Sequence, residues 1–155
     1  MITFLLVEQN VLHKPVLYLS HYFKRYRQTY YEQLQIVRDS GDWEGWLTFF
    51  LQGVIDVSRE ATATARTILT MREQHRTQIT DNLGRAAGNG HRVLEKLYDR
   101  PIVSVHDVRE MTGTTYPAAN TLVARLEELG ILSEITGRTR HRRFRFDPYV
   151  RLFDD

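Results

Sequence analysis

Four arginines and a histidine crowd into six consecutive positions near the end of the chain: Arg138, Arg140, His141, Arg142 and Arg143, with no acid among them. Guanidinium groups stay charged throughout the physiological range and hold phosphate oxygens through paired N–H donors. Such a cluster suits the backbone of a nucleic acid. A second set of polar residues lies a little upstream, at Thr115, Tyr116, Asn120, Thr121 and Arg125. Small and polar groups on one face of a helix suit base edges and phosphates. Glu127 and Glu128 on the same helix would repel DNA if they faced it. An arginine-rich hairpin can also serve only as a charged edge that blocks unwanted strand pairing.

Other chemistry finds little support. The six histidines (13, 21, 75, 91, 106 and 141) are scattered, and none is expected to join a carboxylate or a second histidine one helical turn on as helical metal sites do. The chain has no cysteine, hence no disulfide and no thiolate metal site. No catalytic residue, metal site or cofactor is expected of these residues.

The elements that must position the polar groups can be read from spacing. His91 to Tyr98 forms a helix with Val93, Leu94, Leu97 and Tyr98 on one face. A short extended piece, 101–105, follows. Ser104 is placed to cap the next helix, with Asp107 answering its free amides, and Gly113 to end it. Thr115 caps a third helix with Pro117 in its first turn. Leu122, Val123, Leu126 and Leu129 form its buried stripe, and Gly130 ends it. Ile131 to Ile135 and Arg143 to Phe146 then alternate as two strands around a turn at Thr136-Gly137-Arg138. Helix, helix, tight turn, helix and hairpin is the order of a winged helix-turn-helix, expected over 85–155.

The rest of the chain predicts helices, giving a mostly α protein with a small α+β module at its end. Met1 to Val7 reads as the middle of an apolar helix, as expected of a chain cut from something longer. It lacks the marks of a signal peptide and is too short to span a membrane. From Val16 to Arg38, Leu19, Phe23, Tyr26, Tyr30, Leu34 and Val37 share one stripe. Ser40-Gly41-Asp42 breaks the pattern. A long helix then carries Trp43, Trp46 or Leu47, Phe50, Val54, Val57, Ala61, Ala65 and Ile68, with Gly53 as a candidate bend. Polar, Gly/Asn-rich residues from Thr77 to Gly90 suggest a boundary, dividing the chain into 1–84 and 85–155.

At 155 residues and a net charge of +2, the chain can bury one sizeable core or two small ones, and lacks the charge excess of a basic tail. Its composition fits a cytoplasmic protein with no membrane partner.

Leu5-Leu-Val-Glu8, Leu17-Tyr-Leu-Ser20, Tyr30-Tyr31, Gly41-Asp-Trp-Glu-Gly-Trp46 and Phe49-Phe50-Leu51-Gln52-Gly53-Val54 resemble the C-terminal half of Fic (filamentation induced by cAMP) proteins. Larger bacterial members continue into a winged helix, echoed here by Pro101-Ile-Val, Leu126-Glu-Glu-Leu-Gly-Ile-Leu132 and Thr136-Gly-Arg138. The family transfers AMP, or occasionally another phosphate-containing group, onto protein hydroxyls. Its active loop reads His-Pro-Phe-x-Asp/Glu-Gly-Asn-Gly-Arg-x-x-Arg, and this sequence contains no such loop. Gly88-Asn89-Gly90-His91 has the glycine pattern alone, preceded by Arg85-Ala86-Ala87, and reads as a loop entering the helix at His91. The resemblance implies a regulatory piece of an AMP-transferring protein, without AMP transfer of its own. Two functions are expected of such a piece: binding of double-stranded DNA, or service as a dimerisation or protein-docking scaffold. A homodimer would bury Trp43, Phe49 or the Leu5–Leu6 face.

Overall fold

The computed structural model describes residues 19–153. The apolar start at Met1 to Val7, the Leu5–Leu6 face and Val16 lie outside them. The described chain is mostly helical with one small antiparallel sheet. It divides into two compact units, one ending at Arg66 and the other beginning at Thr67.

In the first unit, α1 (Leu19–Arg25) and α2 (Arg27–Ser40) are separated by Tyr26. The stripe had predicted one helix here. Tyr26 leaves helical geometry (φ −106°, ψ 42°), although its N–H still reaches Tyr22 O at 2.9 Å. Gly41 takes a left-handed conformation, φ 70°, and returns its N–H to Val37 O at 2.9 Å, which closes α2. Asp42 then accepts from the Glu44 and Gly45 amides at 3.1 and 3.2 Å and starts α3 (Trp43–Leu83). Leu19, Tyr22 and Val57 form the buried cluster of this unit, with Phe23, Phe49, Phe50 and Val54 packed around it. α2 buries no residue, and Leu34 and Tyr31 on it are exposed. Gly53 does not break α3. Its lack of a side chain makes room for Tyr22, because a Cβ there would sit 2.7 Å from the ring.

The second unit takes in the last part of α3. The segment 77–90, expected to hold the boundary between domains, is helical almost throughout. α3 runs to Leu83, a 3-10 turn covers Gly84–Ala86, and α4 spans Ala87–Leu97. Gly88-Asn89-Gly90 is therefore the first part of a helix, not a loop. The polar residues misled because they occupy the outer face, while Ile79 and Leu83 point into the core. Gly90 lets α4 approach closely, since a Cβ there would lie 2.7 Å from Leu83 Cδ1 and 2.9 Å from Ile79 Cγ2. Outside the core, Arg72 grips Glu95 with two hydrogen bonds, at 2.6 and 3.2 Å, and Arg76 adds a third at 3.1 Å.

β1 (Ile102–Val103) leads into α5 (Val105–Thr112), and α6 (Tyr116–Glu128) follows after a short turn. β2 (Ser133–Glu134), β3 (Phe144–Arg145) and α7 (Asp147–Val150) complete the unit. The sheet order is β1-β3-β2, with Val103 and Glu134 flanking Phe144 and with Ile102 and Ser133 flanking Arg145. Sixteen buried side chains form one core, among them Leu94, Leu97, Val108, Leu126, Phe144 and Phe146. Against Phe146 pack the rings of His75, Tyr98 and Tyr149, at 5.4, 5.3 and 5.7 Å between centroids. Burial lowers the His75 imidazole from its ordinary value and pushes the Tyr98 phenol up to about 12.

Candidate nucleic-acid interface

Two capping devices fix the helices that flank the site. Ser104 Oγ accepts the Asp107 amide at 3.2 Å, and the Asp107 carboxylate accepts the Ser104 N–H at 2.7 Å. This reciprocal box starts α5, and Gly113 ends it at φ 67°. Thr115 accepts from the Ala118 amide at 3.4 Å and starts α6 with Pro117 in its first turn. Leu122, Val123 and Leu126 are buried, as their spacing predicts, while Leu129 is only half-buried. These caps and the core hold the outer face of α6 in place.

The hairpin tip is shaped by an acid rather than by its arginines. Glu134 accepts from the Thr136 and Gly137 amides at 2.9 and 2.8 Å and from the Thr136 hydroxyl. Those hydrogen bonds, the Thr136 hydroxyl foremost, hold its carboxyl below the usual range. Gly137 takes φ 61° in this turn, and His141 takes φ 55° further along, a conformation that side chains other than glycine rarely adopt. Ile135 N–H to Arg143 O, at 3.0 Å, carries the pairing one step beyond the strands.

Between the tip and α6 opens a groove of about 740 Å³. Of the residues expected at the interface, Tyr116, Asn120, Arg140, His141, Arg142 and Arg143 line it. Ser104, Val105, His106 and Thr139 join them from α5 and the tip. Tyr116 is half exposed at the first turn of α6, and Arg138 and Arg140 are exposed. Arg138 and Arg140 make no hydrogen bond or ion pair among the described residues.

The remaining predicted residues have other engagements. Arg125 donates to the carbonyl oxygens of Asn82 and Leu83, at 3.1 and 3.4 Å, and so caps the C-terminal end of α3. Thr121 returns its hydroxyl to Pro117 O at 3.0 Å, and Thr115 is occupied as a cap. Arg142 donates to Asn120 Oδ1 at 3.0 Å. Arg143 lies 3.6 Å from Asp107, which Arg100 approaches at 3.7 Å. Burial works to raise the Asp107 carboxyl, but the Ser104 hydrogen bonds and both arginines outweigh it and hold it below its ordinary value. Part of the positive charge is thus neutralised inside the unit.

His106, which sequence reasoning did not place at the interface, pairs with Glu110 one turn on at 3.0 Å. Its i, i+4 spacing to an acid was visible in the sequence; its position beside the hairpin was not. Among the described residues, no group of three His, Cys, Asp or Glu could hold a metal ion. No described helix is long and apolar enough to cross a membrane. No family model matches this chain.

Proposed function

We propose that the second unit is a winged helix-turn-helix that binds duplex DNA, with the N-terminal part of α6 in the major groove and the hairpin tip on the phosphate backbone. The observation that carries this reading is the groove in which Arg140, His141, Arg142 and Arg143 face Tyr116 and Asn120. Arginines over the backbone and a polar helix face toward base edges are the two components that such recognition needs. Together with the resemblance to Fic proteins, the groove supports reading the chain as a regulatory portion of such a protein, without AMP transfer of its own.

The test is duplex binding at about 50 and about 200 mM salt, for the chain and for Arg138→Ala/Arg140→Ala. Binding weakens steeply with salt, and the double variant shows a shallower dependence, by about 0.9 in the logarithmic slope for each phosphate it no longer neutralises. Absence of binding at low salt from the folded chain overturns the proposal.

One observation favours a second reading, a dimerisation or protein-docking scaffold. Trp43, Leu47, Leu51 and Ile55 recur every four residues along α3 and are all exposed. Sedimentation that gives a concentration-dependent dimer, abolished by Leu47→Ser/Leu51→Ser, would support it.

A further inference from the structure

The arginines of the hairpin are not equivalent. Arg138 and Arg140 are exposed, whereas Arg142 is half-buried and held from two sides. Its guanidinium carbon stands 5.1 Å from the centre of the Phe144 ring, which is fully buried in the core. Its Nη2 donates to Asn120 Oδ1 at 3.0 Å, and the Glu134 carboxylate adds electrostatic attraction from the turn. A guanidinium stacked and hydrogen-bonded in this way is poorly placed to follow a phosphate.

The contact has a consequence for Asn120. A carboxamide free to turn can present either its oxygen or its nitrogen, and with both it pairs bidentately with adenine. Here the oxygen is engaged by a cation, and Nδ2 makes no hydrogen bond among the described residues. Asn120 lines the groove, so it offers N–H donors there first. Guanine presents two acceptors on its major-groove edge, while cytosine presents a donor.

Resting on the duplex-binding reading above, we infer that Arg142 is a positioning residue that makes Asn120 a donor-only reader, selecting a base with an acceptor edge. Arg138 and Arg140, by contrast, supply phosphate contacts that carry no sequence information. The hairpin therefore contributes to specificity through a side chain that never touches the bases.

The experiment uses the full chain and a pool of duplexes randomised over their central positions, with the bound fraction sequenced and salt dependence measured on the enriched duplex. For Arg142→Ala, preference at one base position falls roughly 5- to 150-fold, while the salt slope stays that of the unaltered chain. Asn120→Ala abolishes preference at the same position, and the double variant falls no further than Asn120→Ala alone, as expected of two residues acting together. Arg140→Ala shows the opposite pattern, a slope lower by about 0.9 and an unchanged preference. Arg142→Lys keeps a donor for Asn120 and restores part of the preference, which guards against misfolding of the alanine variant.

A salt slope reduced by Arg142→Ala with preference intact overturns the inference, and so does binding without any base preference. Failure of the unaltered chain to bind any duplex at low salt overturns instead the reading on which the inference rests.

Discussion

The two units use their apolar residues differently. Around Phe144 and Phe146, short elements arrive from several directions, so side chains from α3 to α6 and from the sheet close over one another until many have no exposure at all. In the first unit, aromatic residues are more abundant, eleven against six, yet among its described residues the buried apolar side chains are only Leu19, Tyr22 and Val57, and Trp43 remains 62% exposed. A helix whose apolar residues spread over more than one face cannot hide them all against one neighbour. Hydrophobic content alone therefore does not make a core; short elements that approach from different directions do.

The largest effect expected from this contrast is at Phe144. Phe144→Ala removes a ring with no exposed surface and costs about 3–5 kcal/mol, measured by urea unfolding followed through hydrogen exchange of α6 amides. The same variant deprives Arg142 of its stack. A cost below about 1 kcal/mol would show the second unit to be as loosely packed as the first.

A pair of glycines sharpens the comparison at intermediate magnitude. Both would place a new Cβ within 2.7 Å of a neighbour, Gly90 against Leu83 and Gly53 against Tyr22. Gly90→Ala meets branched side chains locked in the core and destabilises by about 1–3 kcal/mol. At Gly53 the sparser surroundings let the Tyr22 ring move. The gain of about 1 kcal/mol from alanine in a helix then offsets the strain, leaving Gly53→Ala near neutral. Equal losses at the two sites would break the distinction. Both tryptophans, Trp43 and Trp46, belong to the first unit, so their fluorescence follows that unit separately.

Acid should act on the closed unit through His75. Its folded value lies below the ordinary one, about 6.5, so the unfolded chain takes up the proton more readily. Stability is intact above that pH and falls as the pH drops below it, until the folded-state value is reached. His75→Phe removes this decline while keeping a ring against Phe146, as thermal unfolding at pH 7.5 and 5.5 would reveal; an unchanged decline would assign it to other groups. The smallest effect belongs to the open unit. Leu47→Ser alters a side chain 52% exposed and shifts monomer stability by no more than about 0.5 kcal/mol.

Much of the second unit was legible in the sequence because its signals are local. Ser104 with Asp107, Thr115 with Pro117, and the glycines at 113, 130 and 137 each act within four residues, and each takes the predicted role or conformation. The stripe on α6 was legible for the same reason. What could not be read depends on residues far apart in the chain. Arg125 meets Asn82 and Leu83 across more than forty residues, and so leaves the candidate interface for a capping role. Asp107 meets Arg143, and Asn120 meets Arg142, only because the hairpin folds back. Polarity between Thr77 and Gly90 suggested a domain boundary, but the helical periodicity there is carried mainly by Ile79 and Leu83. In α2 the stripe was real as a pattern, yet the helix buries none of its residues and leaves Leu34 exposed.

The uninterrupted backbone of α3 also bears on how this chain would be cut. Proteases require extended chain, and the forty-one residues of that helix offer none, so limited digestion should not separate the units where their packing divides. The first nick falls instead at the exposed hairpin tip, where trypsin finds Arg138 and Arg140 in an irregular loop. Two fragments produced there would remain joined through the sheet, leaving a nicked molecule that migrates intact until it is denatured.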